Sequence, residues 1–314
     1  MGMIRGHKKR LDNLYSVCYN NIMKLNFEVM EIHKTLAIKF IQKYHYSPVM
    51  PSITKHYLGF FLNGDLKGAL TLGWGTKPRH TFNKMFPTKG VLVKKEDGTF
   101  VEDINDWYYE IGKMCLSPDL NDTKGAGSQM VSTTIKWLKN NTKCQFLYTM
   151  ADGIMGKCGF VYQASNFYYG EQYFTPVYMM ENGEKLHPRT SKQLCIENAN
   201  YIRKNVDSTY DKTQVHWLTS DFMIHKDIKR INGLMFRYIY PLNKKAKRIM
   251  LKESSMDWDK NYPKEINLEW VDVTDRKNKK SVPQPKFDLD MSNIEYNKKN
   301  VNAHQSANLD IFFR

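Results

Sequence analysis

Trp107-Tyr-Tyr-Glu-Ile-Gly-Lys-Met-Cys-Leu116, followed by Ser117-Pro-Asp-Leu-Asn-Asp-Thr-Lys-Gly-Ala-Gly-Ser128, is the stretch on which the fold turns. A short apolar run bounded by turn residues reads as a buried strand, and here it feeds a polar, glycine-bearing loop. A helix follows, because Met130, Val131, Ile135, Trp137 and Leu138 recur close to a 3.6-residue period. Cys144 to Met150 is the next apolar strand, and a further strand is expected around Tyr173 to Met180.

Upstream, His56 to Leu62 and Leu66 to Leu72 flank Asn63-Gly64-Asp65. Asn-Gly accepts the positive φ values of a type I′ turn, so these runs predict a hairpin. Ahead of it lie a strand at Leu25–Ile32 and a helix carrying Leu36, Ile38, Phe40 and Ile41. That helix ends near Tyr44-His45-Tyr46-Ser47-Pro48, since a proline disfavours helix in the residue before it. The expected fold class is α+β, with a central mostly antiparallel sheet flanked by helices. Its main domain spans residues 24–185, with 76–105 read as an insertion loop. Residues 1–23 read as a basic leader, 186–270 as a basic C-terminal extension, and 271–314 as a polar, mobile tail.

The 314-residue chain carries a formal charge of +15, which attracts polyanions. Its five cysteines, Cys18, Cys115, Cys144, Cys158 and Cys195, form no C-x-x-C pair. This speaks against a disulfide framework or a structural zinc site, and no metal is expected. No apolar run approaches the ~20 residues that a membrane helix needs. The chain reads as soluble and cytoplasmic, with no membrane partner.

The element order and the glycine loop at a helix start resemble the GNAT acyltransferases. That resemblance implies acetyl-CoA, or a related acyl or aminoacyl donor, with its pyrophosphate on the amides opening the helix. Gly125, Gly127 and Ser128 stand there, and Asp122 occupies a position where the family usually has Arg or Gln. A narrower resemblance covers residues 27 to 190. Tyr44-His45-Tyr46-Ser47, Glu110-Ile-Gly-Lys113, Ser128 and the segment Ala151-Asp152-Gly through Gly156-Lys-Cys-Gly159-Phe-Val-Tyr162-Gln-Ala-Ser-Asn166 resemble the Mom family of phage proteins. Two positions depart from that pattern: Lys113 replaces an arginine and Lys157 a histidine.

The Mom resemblance implies modification of the exocyclic N6 amine of adenine in double-stranded DNA, of the acetamido or carbamoylmethyl kind, which protects phage DNA from restriction in the host cytoplasm. It points to Asp152, His45, Tyr46, Glu110 and Tyr162 as catalytic. Asp152 or His45 would take the amine proton, and the tyrosines would stack on the base or return a proton. Lys113, Gly125, Gly127 and Ser128 would hold the donor. Glu110 and Lys113 are three apart and so face opposite sides of a regular strand, unless a bulge at Gly112 shifts the alternation. Nucleic-acid contacts are expected from Trp74, Lys157, Asn166 and Arg237, and from Lys244, Lys245, Lys247 and Arg248. Taken singly, these residues also fit bland roles: an Asp-Gly turn, rings covering a helix end, a solvated basic face. Two other functions fit the same pattern, a coenzyme A-dependent acetyltransferase acting on protein or small amines and a non-catalytic nucleic-acid-binding protein.

Overall fold

The computed structural model describes residues 23–45, 50–51, 53–75, 78–86, 107–153, 156–181, 185–186, 192–211, 218–264 and 270–283. Strands β1 (Glu28–Glu31), β2 (Ile53–Leu62), β3 (Asp65–Trp74), β4 (Tyr108–Leu116), β5 (Phe146–Asp152), β6 (Tyr168–Met179), β7 (Lys185–Leu186), β8 (Lys229–Pro241), β9 (Trp270–Asp272) and β10 (Lys280–Val282) form one sheet. Its order is β1-β2-β3-β4-β5-β8-β6-β7, with β9 on β8 and β10 on β9. Among the described residues only β4 and β5 pair in parallel. The helices are α1 (Lys34–Tyr44), α2 (Pro78–Met85), α3 (Ala126–Asn141), α4 (Phe160–Ala164), α5 (Lys192–Asn205), α6 (Ser220–His225) and α7 (Lys244–Glu253). The architecture is the expected α+β one, an open, mostly antiparallel sheet flanked by helices.

The β2–β3 hairpin closes through Asn63 and Gly64, both at positive φ (52° and 85°). Successive residues of β3 face opposite sides of the sheet, and they separate the helical layers. Ala69 packs with Phe40 and Ile41 of α1, whereas a Cβ on Gly68 would meet Met130 of α3 at 3.3 Å. So α1 covers one face and α3 the other.

Two expectations are corrected here. The 76–105 region is not loop throughout, because Pro78–Met85 is helical and its Phe82 and Met85 enter the core beside Phe86 and Trp107. Nor does the chain after residue 186 merely pack against a finished domain. Strand β8 lies between β5 and β6, registered with β5 from Phe146↔Pro241 to Asp152↔Met235 and with β6 from Tyr168↔Ile239 to Met179↔Lys229. Two strands adjacent along the chain are thus held together by one that arrives about fifty residues later. Of the expected tail, 271–283 supplies β10 and all of β9 but its first residue, Trp270, and 284–314 lies outside the described residues.

Candidate active site

Strand β5 pairs with β4 only through Tyr108↔Phe146, Tyr109↔Leu147 and Glu110↔Tyr148. Beyond Glu110, β4 runs on along β3 to Leu116 while β5 follows β8 to Asp152. The two strands therefore part, and a wedge opens between their C-terminal halves.

A bulge shapes that wedge. Leu72 faces Ile111 and Thr71 faces Lys113, so Gly112 has no partner on β3. The Thr71 hydroxyl fills the gap by accepting the Lys113 amide at 2.9 Å. Only glycine fits, because a Cβ on Gly112 would stand 2.6 Å from Pro51 Cγ. One skipped residue returns Lys113 to the face of Glu110. Tyr148, Met150 and Asp152 alternate on that same face of β5, as does Arg237, which pairs with Met150.

The charges on this face are largely out of water. Glu110 is 8% exposed, and burial pushes its carboxyl up to about 7 even though the Gly75 amide donates to it at 3.2 Å. Gly75 admits that approach because a Cβ there would come within 2.7 Å of the carboxylate. Lys113 moves the other way: burial lowers its ammonium to about 8, and the facing Asp152 carboxylate opposes the drop. A carboxyl near 7 and an amine near 8 can each exchange a proton close to neutrality. Asp152 is half-buried at the end of β5, and its backbone carbonyl accepts the Lys157 amide at 3.3 Å.

Deeper on β8, the Arg237 guanidinium lies 4.0 Å from the centre of the Tyr173 ring. The Tyr173 hydroxyl reaches Met150 Sδ at 2.8 Å. Burial first, then the Glu110 charge, raises the Tyr148 phenol, and the neighbouring Arg237 pulls it back.

Two helix starts converge on the other side of the wedge. Gly125 (φ 82°) precedes α3 and Gly159 (φ 94°) precedes α4. A Cβ on Gly127 would touch Val161 at 3.1 Å, and the Ser165 hydroxyl donates to Ser128 O at 3.4 Å. The Ser128 hydroxyl donates to Gly125 O at 2.9 Å. Among the described residues the Gly127 and Ser128 amides have no acceptor, as expected in a first helical turn. Asp122 is exposed in the loop before them.

The expected site residues fall into groups. Glu110, Lys113 and Asp152 share the wedge, and Gly125, Gly127 and Ser128 open α3 beside it. His45 caps the C-terminus of α1 on the same face of the sheet and is 7% exposed, whereas Tyr46 lies outside the described residues. Tyr162 points to the opposite face. Its ring packs 5.5 Å from both Phe167 and Tyr238, and burial raises its phenol, which the Thr149 hydroxyl partly offsets.

The expected nucleic-acid contacts need two corrections. Trp74 is 2% exposed, with its indole donating to Tyr108 O and its ring against Tyr109, so it is a core residue. Arg237 is 7% exposed on a strand internal to the sheet, so it lies on no open nucleic-acid-binding surface and meets only a group that enters from the face of Asp152. Lys157 and Asn166 are exposed, and Asn166 bonds Lys260. Lys244, Lys245, Lys247 and Arg248 are exposed on α7, whose Ala246, Ile249 and Met250 are buried. Helix α7 follows the end of β8 that pairs with the start of β5. At ~3.3 Å per residue it therefore sits about 20 Å along β5 from Asp152. Tyr148 and Tyr173 were missed. The signal available for Tyr148 was its place two and four residues before Met150 and Asp152, on one side of a strand.

The chain matches the Mom protein family over residues 26–264. It is 25% identical over 205 residues to the methylcarbamoylase Mom of Escherichia phage Mu, covering 64% of this chain and 78% of the relative. Among solved structures, an aminoglycoside acetyltransferase with coenzyme A superimposes with a TM-score of 0.32 at 11% identity, over 51% of this chain and 91% of the other. A GNAT-family N-acetyltransferase from Escherichia coli with coenzyme A gives 0.30 at 11% identity, over 46% and 69%. Superposition at that level carries no functional information. Among the described residues no helix is long and apolar enough to cross a membrane, and no group of three His, Cys, Asp or Glu is placed to hold a metal ion.

Proposed function

The chain belongs to the Mom protein family and is a transferase, and we propose that it modifies the exocyclic N6 amine of adenine in double-stranded DNA, using the wedge between β4 and β5. The observation that carries this reading is the charged set on one face of the wedge: Glu110 near 7, Lys113 near 8, and Asp152 opposite Lys113. The relative from phage Mu is named a methylcarbamoylase, so the group moved carries a carbonyl.

Transfer to an amine forms an N–C bond, breaks the bond between group and carrier, and releases a proton from nitrogen. The adenine amine is a weak nucleophile because its lone pair is conjugated with the ring, so the proton must leave as the bond forms. Asp152, at the open end of β5, accepts that proton. Lys113, across from it, stabilises the negative oxygen that develops on the carbonyl. Glu110 lies deeper and takes up the proton that Asp152 must shed. A base inside a duplex is out of reach of such a cleft and has to leave the stack. His45, closing α1 on the same face, orients the base that enters.

The Gly127 and Ser128 amides would hold the phosphates of a carrier such as coenzyme A, and the backbone of β4 beyond Glu110, which among the described residues has no strand on its β5 side, would line the rest of it. When bound, such a carrier supplies a thioester-activated carbonyl. Duplex phosphates would lie on Lys244, Lys245, Lys247 and Arg248, and on Lys157 nearer the wedge. The ~20 Å between α7 and Asp152 is spanned by about six base pairs.

Nucleoside mass spectrometry on DNA from cells producing the chain tests the proposal. The expected result is a modified deoxyadenosine that disappears with Asp152→Asn. Modification of another base moves the chemistry off adenine, and unmodified DNA overturns the reading.

A further inference from the structure

Arg237 is 7% exposed. Among the described residues it makes no ion pair with a carboxylate. Glu110 does not neutralise it, since burial and the Gly75 amide alone govern that carboxyl. A buried, unbalanced charge is costly, and stability alone would favour an apolar side chain at this position. Arg237 lies on the sheet face that carries the wedge residues: it pairs with Met150, between Tyr148 and Asp152. The Tyr173 ring covers one flat side of the guanidinium at 4.0 Å. That stacking leaves the in-plane donors free, and Tyr148 can occupy only one of five. A rigid fork held flat on an aromatic ring matches two oxygens of a phosphodiester or a carboxylate.

We propose that Arg237, held by Tyr173 and flanked by the Tyr148 hydroxyl, is a seat for one singly charged oxyanion in the floor of the wedge. The proposal rests on the wedge being the transferase site, and it adds a substrate feature: either the displaced nucleotide's phosphodiester or a carboxylate on the donor is read there. A single guanidinium fork suits a monoanion.

The test is a thermal-shift titration of the full chain at constant ionic strength with dimethyl phosphate and, separately, acetate, against chloride. The expected result is a saturable rise in melting temperature with at least one of the two. The stronger ligand identifies the source, DNA backbone for dimethyl phosphate and donor for acetate. Arg237→Lys keeps the charge but loses the fork, and should weaken binding about 10- to 100-fold. Tyr148→Phe, which leaves the arginine in place, should weaken it less. Wild-type protein that gains nothing over chloride, or Arg237→Lys that binds as wild type does, overturns the seat. Nucleoside analysis with the same wild-type protein separates the two readings. Anion binding without any modified base sinks the transferase and leaves the seat, whereas modified base without anion binding sinks the seat alone.

Discussion

The two edges of β5 make a natural contrast. Toward β8 the ladder is complete, with seven registered pairs from Phe146 to Asp152; toward β4 it stops after three. Where pairing is complete, the side chains that face α3 and α4 form ordinary core: Leu147, Ala151, Phe236 and Tyr238 are all 5% exposed or less. Where it stops, the opposite face carries Glu110, Lys113 and Asp152. Backbone pairing closes space around side chains, and a strand released from its neighbour leaves room that charges can occupy and substrates can enter. On the proposed function the closed edge governs stability and the open edge chemistry, so substitutions on the two should separate those properties.

The largest effect is expected at Asp152. Asp152→Asn preserves shape but removes the proton acceptor, so modified-nucleoside yield should fall by about 10²–10⁴ while the melting temperature stays near wild type. A merely structural Asp152 would show the reverse. Phe236→Ala, on the closed edge opposite Ala151, is the counterpart. It empties a fully buried position and should cost about 3–5 kcal/mol in denaturant unfolding. Protein that remains folded should still modify DNA.

Glu110 joins the two properties. Its folded carboxyl keeps its proton up to about 7, against an ordinary 4.5. Between those values the folded state binds more protons than the unfolded one, so stability falls as pH rises through the window. The penalty is absent below 4.5 and complete above 7. Glu110→Gln should therefore be more stable than wild type at pH 8, by at most about 3 kcal/mol, with the gain vanishing near pH 4. It should also be less active. Parallel unfolding curves for the two proteins across that range would break the argument that burial drives the shift.

The smallest effect concerns α7, which lies at the opposite end of β5 from Asp152. Neutralising Lys244, Lys245, Lys247 and Arg248 should weaken duplex binding to all sequences alike and flatten its salt dependence by up to ~0.9 per lost phosphate contact. An unchanged salt slope would make that face a solvated surface and confine DNA contact to the wedge.

Much of the local structure was legible in the chain. Asn63-Gly64 announced the hairpin through turn chemistry, and α3 announced itself by the spacing of Met130, Val131, Ile135 and Leu138. The apolar run from Tyr108 was a strand because nothing in it breaks one. Even the bulge had a visible trace, in a glycine between two charged residues that had to share a face. Trp74 misled because a tryptophan after a strand looks equally apt for a base or a core. Only its neighbours Tyr108 and Tyr109 decide between them, and they lie over thirty residues away.

The sequence by itself determined the helices, most of the strands and the hairpin turn, since those follow from contacts within a few residues, and it supplied the candidate site residues. The tertiary structure alone decided that β8 enters the sheet between β5 and β6, that β4 and β5 part after Glu110, and that Arg237 ends up buried on the face of Asp152. Strand order is a matter of which distant edges meet, and burial is a property of the assembled sheet. For the same reason, the raised proton affinity of Glu110 and the lowered one of Lys113 come from how much water the completed fold excludes.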